Sequence, residues 1–474
     1  MIDLDEEAFK AYSAQRWLWN EPAQLQRRFV ISNLNTLPGI AEEAAGPDAI
    51  CVSLTKLPEG NSNKAFLATM RASLLVKIPN PNAGPAHYTT ASEVATMQYV
   101  KERLHIRVPK VLAYCSKASE SKLSAEYIVM EKAPGMELSQ KWDELKPREK
   151  LSIVKQVAAI TSTLARSQFP YHGALYKRRD LSTSESIVVD NEFVMGPSTG
   201  RAWSDDRRGD VDVPRGPCML SAEDALRALA RREEACVEKF PTFQRDCQQI
   251  IFGGPGGYQP TKEAKLSVMQ DFFKRYRHIM PKSKELCAGV ISHNDLHMDN
   301  IFVDTENSSK VTSIIDWQGV PVYPMFLIAH HPSLIEYTGP KLAGFVEPTL
   351  PENLNSLDPE AKKGREGFSL LSDFSEDGIW KQVVGVDENG DASERSCQKE
   401  EYAKWERDVE RKGRVPDEIG LYAGWNGAVS PQDYDEVVRR LAAAKDRFLT
   451  RDSTNEQERA FWEEVWPFQD PTLE

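Results

Sequence analysis

An α+β fold in two lobes is expected from this sequence: a small antiparallel sheet with one helix, then a larger, mostly helical lobe. Three observations predict it. Five short β-type runs fall between Cys51 and Glu131, with a single stretch of helical periodicity among them. After Pro147 the apolar residues recur mainly at helical spacing. Within that helical part, two short β-type runs, Asn300–Asp304 and Val311–Asp316, flank the polar turn Thr305–Lys310.

Residues 1–49 read as a helical extension, and 50–133 as the first lobe. In that lobe Cys51–Lys56 and Lys64–Met70 are strands around a turn-rich loop, Pro58–Asn63, whose one glycine is Gly60. Leu74–Pro79 is a third strand, with Lys77 inside an apolar run. A helix opens at Thr90–Glu93, a capping box, and sets Val94, Met97, Val100 and Leu104 on one face. Pro109–Cys115 and Ala125–Glu131 complete the sheet, and Pro134-Gly135 breaks it. Glu93 borders the apolar stripe of its helix, where it can pair with Lys77.

Residues 134–345 read as the second lobe, carrying an insert at 168–258, and 346–474 as a loop-rich and helical extension. Pro147–Ser167 is a helix with Leu151, Val154, Val157, Ile160 and Leu164 on its apolar face. The insert mixes Trp203, two Gly-Pro steps and dense charge. It is expected to wall an acceptor cleft, with Trp203 and Arg201 as contacts. Ser221–Phe240, capped by Ser221, and Lys262–Arg277 are further helices. Val320–Ile335 reads as a turn and helix, with His330 and His331 as packing or surface residues. Gln398–Lys412, Pro431–Leu449 and Glu456–Val465 are also helical, and Trp462, Trp466 and Phe468 are expected to dock the C-terminal part on the body.

Composition narrows the function classes. The chain has 474 residues, 41% hydrophobic and 27% charged, ordinary values for a globular protein. A net charge of −12 without a basic tract argues against a nucleic-acid partner. No apolar run approaches the roughly 20 residues of a membrane helix. Seven scattered cysteines with no C-x-x-C pair fit reduced thiols and a cytoplasmic setting. The acidic start, Met1–Glu7, matches neither a secretory leader nor a mitochondrial presequence.

The chemistry concentrates in His293-Asn294-Asp295-Leu296-His297-Met298-Asp299-Asn300, followed by Ile315-Asp316-Trp317. This spacing suits phosphoryl transfer. Asp295 can take a proton from an attacking hydroxyl, while Asn300 and Asp316 can hold magnesium. If Asp304 faces Val311 across the hairpin, Asn300 faces Ile315, and the two oxygen ligands meet at its open end. Few, hard oxygen ligands suit Mg²⁺ better than zinc.

The pattern resembles the catalytic loop of the aminoglycoside phosphotransferase and choline kinase superfamily. His297, where protein kinases usually carry lysine, and Trp317-Gln318 in place of Phe-Gly both point to the small-molecule branch. Asn294 and Met298-Asp299 depart from the superfamily's usual Gly and Pro-Gly. The resemblance implies a bilobal protein kinase-like fold and an ATP- and Mg²⁺-dependent kinase acting on a hydroxyl of a small molecule. It implies that Lys77, set by Glu93, holds the phosphates and that His293 braces the loop. It places Gly60 and Asn61 in the phosphate-covering loop, and the backbone of Met130, Glu131 and Ala133 at the adenine edge. The alternative is a kinase-like protein that binds without turnover. Arg16–Asn20, Ile78–Pro85, Thr89–Val94 and Met195–Pro197 also resemble a fungal branch that includes altered inheritance of mitochondria protein 9. That resemblance makes mitochondria the alternative location.

Overall fold

The computed structural model describes residue 9, residues 11–219, 221–240, 261–329, 332, 334, 427–452 and 455–464. The first lobe is a five-stranded antiparallel sheet in the order Ser53–Lys56, Asn63–Thr69, Leu74–Pro79, Tyr127–Glu131, Val111–Cys115. Alternation decides its two faces, because successive strand side chains point opposite ways. Phe66, Ala68, Val76 and Ile78 face outward onto Leu34, Leu37, Ile40 and Ala41 of the N-terminal extension. Lys77 lies between Val76 and Ile78 and so points to the inner face.

That inner side is covered by the helix Tyr88–Glu102. The expected capping box is corrected here. The helix begins two residues earlier, after His87 at φ 66°. Thr90 therefore sits inside the first turn and donates its hydroxyl to Glu126. Glu93 is only 3% exposed and faces Lys77 instead of capping anything. A capping-box pattern and a buried ion-pairing glutamate look alike in sequence; packing on the sheet decided between them.

In the second lobe, Pro147–Arg166 forms the expected helix and buries Ile153, Val157 and Leu164. Ser221 caps Ala222–Lys239 by accepting the Asp224 N–H, and Thr261 caps Lys262–Ile279 through Ala264. Within Val320–Ile335 a strand was overlooked. Val322–Pro324 pairs with Gly289–Ile291 and precedes the short helix Met325–Ile328. Its flanking prolines read as a turn, while its pairing partner lies some thirty residues upstream. His330, His331, Gln398–Lys412 and the tryptophans near the C-terminus lie outside the residues whose side chains are described. The C-terminal part nevertheless returns to the body, for Ala428–Val429 pairs with Arg16–Trp17.

The insert is more regular than its composition implies. Ala174–Lys177, Phe193–Gly196 and Ile187–Val188 form a small antiparallel sheet. Ala174, Tyr176, Leu181 and Val194 pack on Ala91 of the Glu93 helix. Polar contacts reinforce the joint. His87 bridges Ser116 Oγ at 2.9 Å and the Asp180 carbonyl at 3.0 Å, and the Tyr88 hydroxyl donates to Glu185 at 2.7 Å.

Trp203 corrects an expectation. Its ring is 1% exposed, lies under the Arg232 guanidinium, and donates its N–H to the Tyr323 hydroxyl. It is a core residue and has no open face for an acceptor. Arg201 pairs with Asp205 on the surface. Trp203→Ala is expected to destabilise the fold by about 3–5 kcal/mol, the usual cost of emptying an aromatic core site. Chemical denaturation reads this directly, and an unchanged midpoint would disprove the core role.

His172 provides a pH handle. It is 2% exposed, its Nδ1 has no hydrogen-bond partner among the described residues, and burial pulls its pKa down to about 4. The unfolded chain takes up this proton near pH 6.5, ahead of the folded one. Stability contributed above pH 6.5 is therefore lost as pH falls toward 4, by about 2 kcal/mol between pH 6.5 and 5. Unfolding free energies across that range should fall less steeply in His172→Phe than in the wild type. Equal slopes would remove His172 as the cause.

Candidate active site

Lys77 is the centre of a buried charge cluster. Its Nζ lies 2.7 Å from Glu93 Oε1 and 2.8 Å from Asp316 Oδ1. Burial disfavours the ammonium, but the Asp316 and Glu93 carboxylates outweigh it and hold its pKa above the ordinary value. Lys77 in turn holds the Asp316 carboxyl below its usual range. Burial pushes the Glu93 carboxyl up, against the pull of Lys77. The first lobe's sheet, its helix and the segment after the second-lobe hairpin thus meet on one lysine, and the Lys77–Glu93 pair is the one expected from the sequence.

The loop 293–300 is organised by His293. Its Nε2 lies 2.9 Å from the Ile315 carbonyl, and its Nδ1 is 3.3 Å from the Asp295 N–H. One neutral tautomer, protonated on Nε2, satisfies both contacts. Burial, which pulls the His293 pKa down, keeps it in that neutral form. Trp317 is fully buried and packs edge-on against His293, with ring centroids 4.7 Å apart. The residue after Asp316 therefore serves as the wall that fixes the imidazole.

The hairpin brings Asn300 and Asp316 to its open end, but by a different count. Ile301 pairs with Ile314, and the Ile315 N–H donates to the Asn300 carbonyl at 3.0 Å, so Asn300 does face Ile315. At the far end a bulge after Phe302 sets Val303, not Asp304, opposite Val311. The chain then turns at Asp316 through φ 60°, a left-handed conformation that aspartate tolerates better than most residues with a side chain. Asn300 donates its Nδ2–H to the Asp295 carbonyl at 2.8 Å. Its Oδ1 accepts no hydrogen bond among the described residues. Asp316 keeps one oxygen beyond the Lys77 contact. This donor set, one amide oxygen and one carboxylate, fits magnesium that shares its remaining positions with phosphate and water. Among the described residues no group of three His, Cys, Asp or Glu could hold a metal unaided.

Asp295 is open to solvent, its side chain 60% exposed, with His297 Nε2 at 3.5 Å from its Oδ2.

The loop 58–63 is held by side chains where glycines are scarce. A Cβ added at Gly60 would meet nothing within 4 Å, so that glycine faces open space. Asn61 accepts from Arg28 at 3.2 Å through its side chain and from Asn80 at 3.1 Å through its carbonyl. Glu59, nearly buried, forms ion pairs with Lys64 and Lys56. At the expected adenine edge, Met130 is buried within the strand. The Glu131 N–H donates to the Lys110 carbonyl at 2.9 Å, and its carboxylate accepts the Lys110 N–H at 3.1 Å. Glu131 is thereby removed as an amide donor, which leaves Ala133, whose backbone makes no hydrogen bond among the described residues. The sequence reading missed Arg28, Asn80 and Gln318 at this loop. Only Asn80, inside a Pro-Asn-Pro-Asn run, carried a local signal.

A sequence profile of the phosphotransferase enzyme family matches residues 53–326, from the first sheet strand to past the catalytic hairpin. The chain belongs to that family. A subtelomeric hrmA-associated cluster protein of Aspergillus fumigatus is 31% identical over 337 residues, 65% of this chain and 65% of that protein. Altered inheritance of mitochondria protein 9, mitochondrial, of Saccharomyces cerevisiae is 23% identical, covering 61% of this chain and 51% of that protein. The match therefore spans less than two thirds of these relatives' own length. Among solved structures, aminoglycoside phosphotransferase APH(4)-Ia in complex with AMP-PNP and hygromycin B is 14% identical over 60% of this chain and 72% of its own, at a TM-score of 0.34. A score that low carries no weight here. The fold of this phosphotransferase-family chain is the α+β arrangement described above. No helix among the described residues is long and apolar enough to cross a membrane.

Proposed function

We propose that the protein transfers the γ-phosphoryl group of ATP to a hydroxyl of a small molecule, with Mg²⁺. The observation that carries this reading is the convergence of Glu93, Lys77 and Asp316 beside a His293-braced loop that leaves Asp295 exposed. Lys77, oriented by Glu93, holds the nucleotide phosphates. Asn300 and Asp316 would hold magnesium, which supplies charge neutralisation at the transferring phosphoryl group. Asp295 orients the acceptor hydroxyl and takes up its proton. Gly60 and Asn61 cover the phosphates, and the backbone around Ala133 meets the adenine edge.

Purified protein incubated with MgATP and a panel of hydroxylated metabolites tests this by ADP release. Turnover dependent on both magnesium and one acceptor is the expected result. A second reading, nucleotide binding without turnover, is favoured by one observation: Asp316 is already engaged by Lys77. It predicts MgATP binding with no ADP release for any acceptor. As to location, the yeast relative favours the mitochondrial alternative over the cytoplasmic expectation, and cell fractionation decides it.

A further inference from the structure

The structure assigns Gln318 the role of a positioning residue that locks the phosphate-covering loop in register with Asp316. Gln318 sits two residues beyond Asp316 yet reaches the first lobe. Its Oε1 accepts from Asn63 Nδ2 at 2.6 Å, and its Nε2 donates to the Ala83 carbonyl at 3.0 Å. Asn63 is the first residue of the strand that leaves the loop, and Ala83 closes the short turn after the lysine strand. One side chain therefore pins the return of the loop and the far end of the Lys77 strand to the segment carrying Asp316.

The contacts close into a circuit. Asn80 donates its side-chain amide to the Asn61 carbonyl at 3.1 Å and its backbone N–H to the Ser62 carbonyl at 2.9 Å. Asn80 also caps the Pro81–Ala83 turn by accepting the Asn82 N–H. The path thus runs from Asn61 and Ser62 through Asn80 to Ala83, across Gln318, and back to Asn63. Among the described residues the Asn63 side chain has no other hydrogen bond, and its Oδ1 is buried without a partner. Its orientation depends on Gln318. Such a circuit does for a loop with one glycine what a glycine-rich loop leaves to nucleotide binding: it fixes the backbone beforehand, so less ordering remains when phosphates arrive. Because the latch joins the two lobes, it couples the height of that loop to the place of Asp316. Its energetic source is ordinary, two neutral hydrogen bonds with partners made for them.

This inference rests on the reading that the loop covers nucleotide phosphates, and the experiment separates the two. Gln318→Leu keeps the volume and removes both contacts. Gln318→Glu keeps the acceptor for Asn63 but cannot donate to the Ala83 carbonyl. Hydrogen exchange of the 57–64 segment, measured without any ligand, reads the latch alone. Exchange there should rise in both variants, most in Gln318→Leu. Calorimetry with MgATP and ADP-release kinetics read the coupling. Gln318→Leu should weaken MgATP about 10-fold, the scale of one or two neutral hydrogen bonds. The kcat at saturating nucleotide should stay within about threefold, since the chemistry is untouched. Asn63→Leu should give the same loss, and the double variant no more than either. Unchanged exchange would overturn the latch. Faster exchange with unchanged MgATP affinity would overturn its link to the nucleotide. Wild-type protein that exchanges slowly in this segment but binds no MgATP would overturn the functional reading of the loop, and the positioning role with it.

Discussion

Asp295→Asn should lower turnover by about 100-fold or more, the scale of a positioned general base, while MgATP affinity stays nearly intact. The structure explains why the two quantities should separate. Asp295 is held from behind by its own backbone: its N–H reaches His293 Nδ1, and its carbonyl accepts from Asn300. Neither contact uses the carboxylate. The amide replacement therefore leaves the loop and Asn300 in place and removes only proton acceptance. The carboxylate is largely solvent-exposed, so the substitution strands no buried partner. ADP-release kinetics beside calorimetry check both halves. Turnover equal to the wild type would reject the assigned role.

Asp316→Ala should cost MgATP affinity roughly 100-fold or more, the scale of losing a charge-assisted contact. Asn300 alone offers the metal one neutral oxygen. The same change removes one of the two carboxylates on Lys77, and the ammonium then turns to Glu93 and to phosphate alone. Affinity for ATP in the absence of magnesium should not fall, because a negative charge beside the phosphates has gone. This opposite response to magnesium distinguishes a metal ligand from a residue that merely shapes the pocket. If calorimetry found equal MgATP affinity in the variant, the metal assignment would be wrong.

How much could be read in advance depended on the range of each interaction. The sheet, the long helices and the hairpin were legible because apolar periodicity is a local signal, and their boundaries moved by only a few residues. The His293–Asn300 spacing and the Asp316 that follows it were legible because they lie on one loop and one hairpin, and the Lys77–Glu93 pair because each stands in the apolar pattern of its own strand or helix. The Thr90–Glu93 capping pattern is not realised because the helix starts at Tyr88, while the pairing of Glu93 with Lys77 is found as expected. Trp203 misled because an aromatic among glycines and charges resembles a ligand contact until Tyr323 and Arg232 are seen to enclose it.

By itself the sequence determined the two-lobed α+β plan and the family, since each is written in contiguous patterns. Only the tertiary structure decided that Lys77 also reaches Asp316, that Glu131 is occupied by Lys110, and that Gln318 ties Asn63 to Ala83 across the lobes. Those contacts join residues up to 255 positions apart. The pairing of a polar side chain over such a distance is set by how strands and helices pack, and no local propensity encodes it.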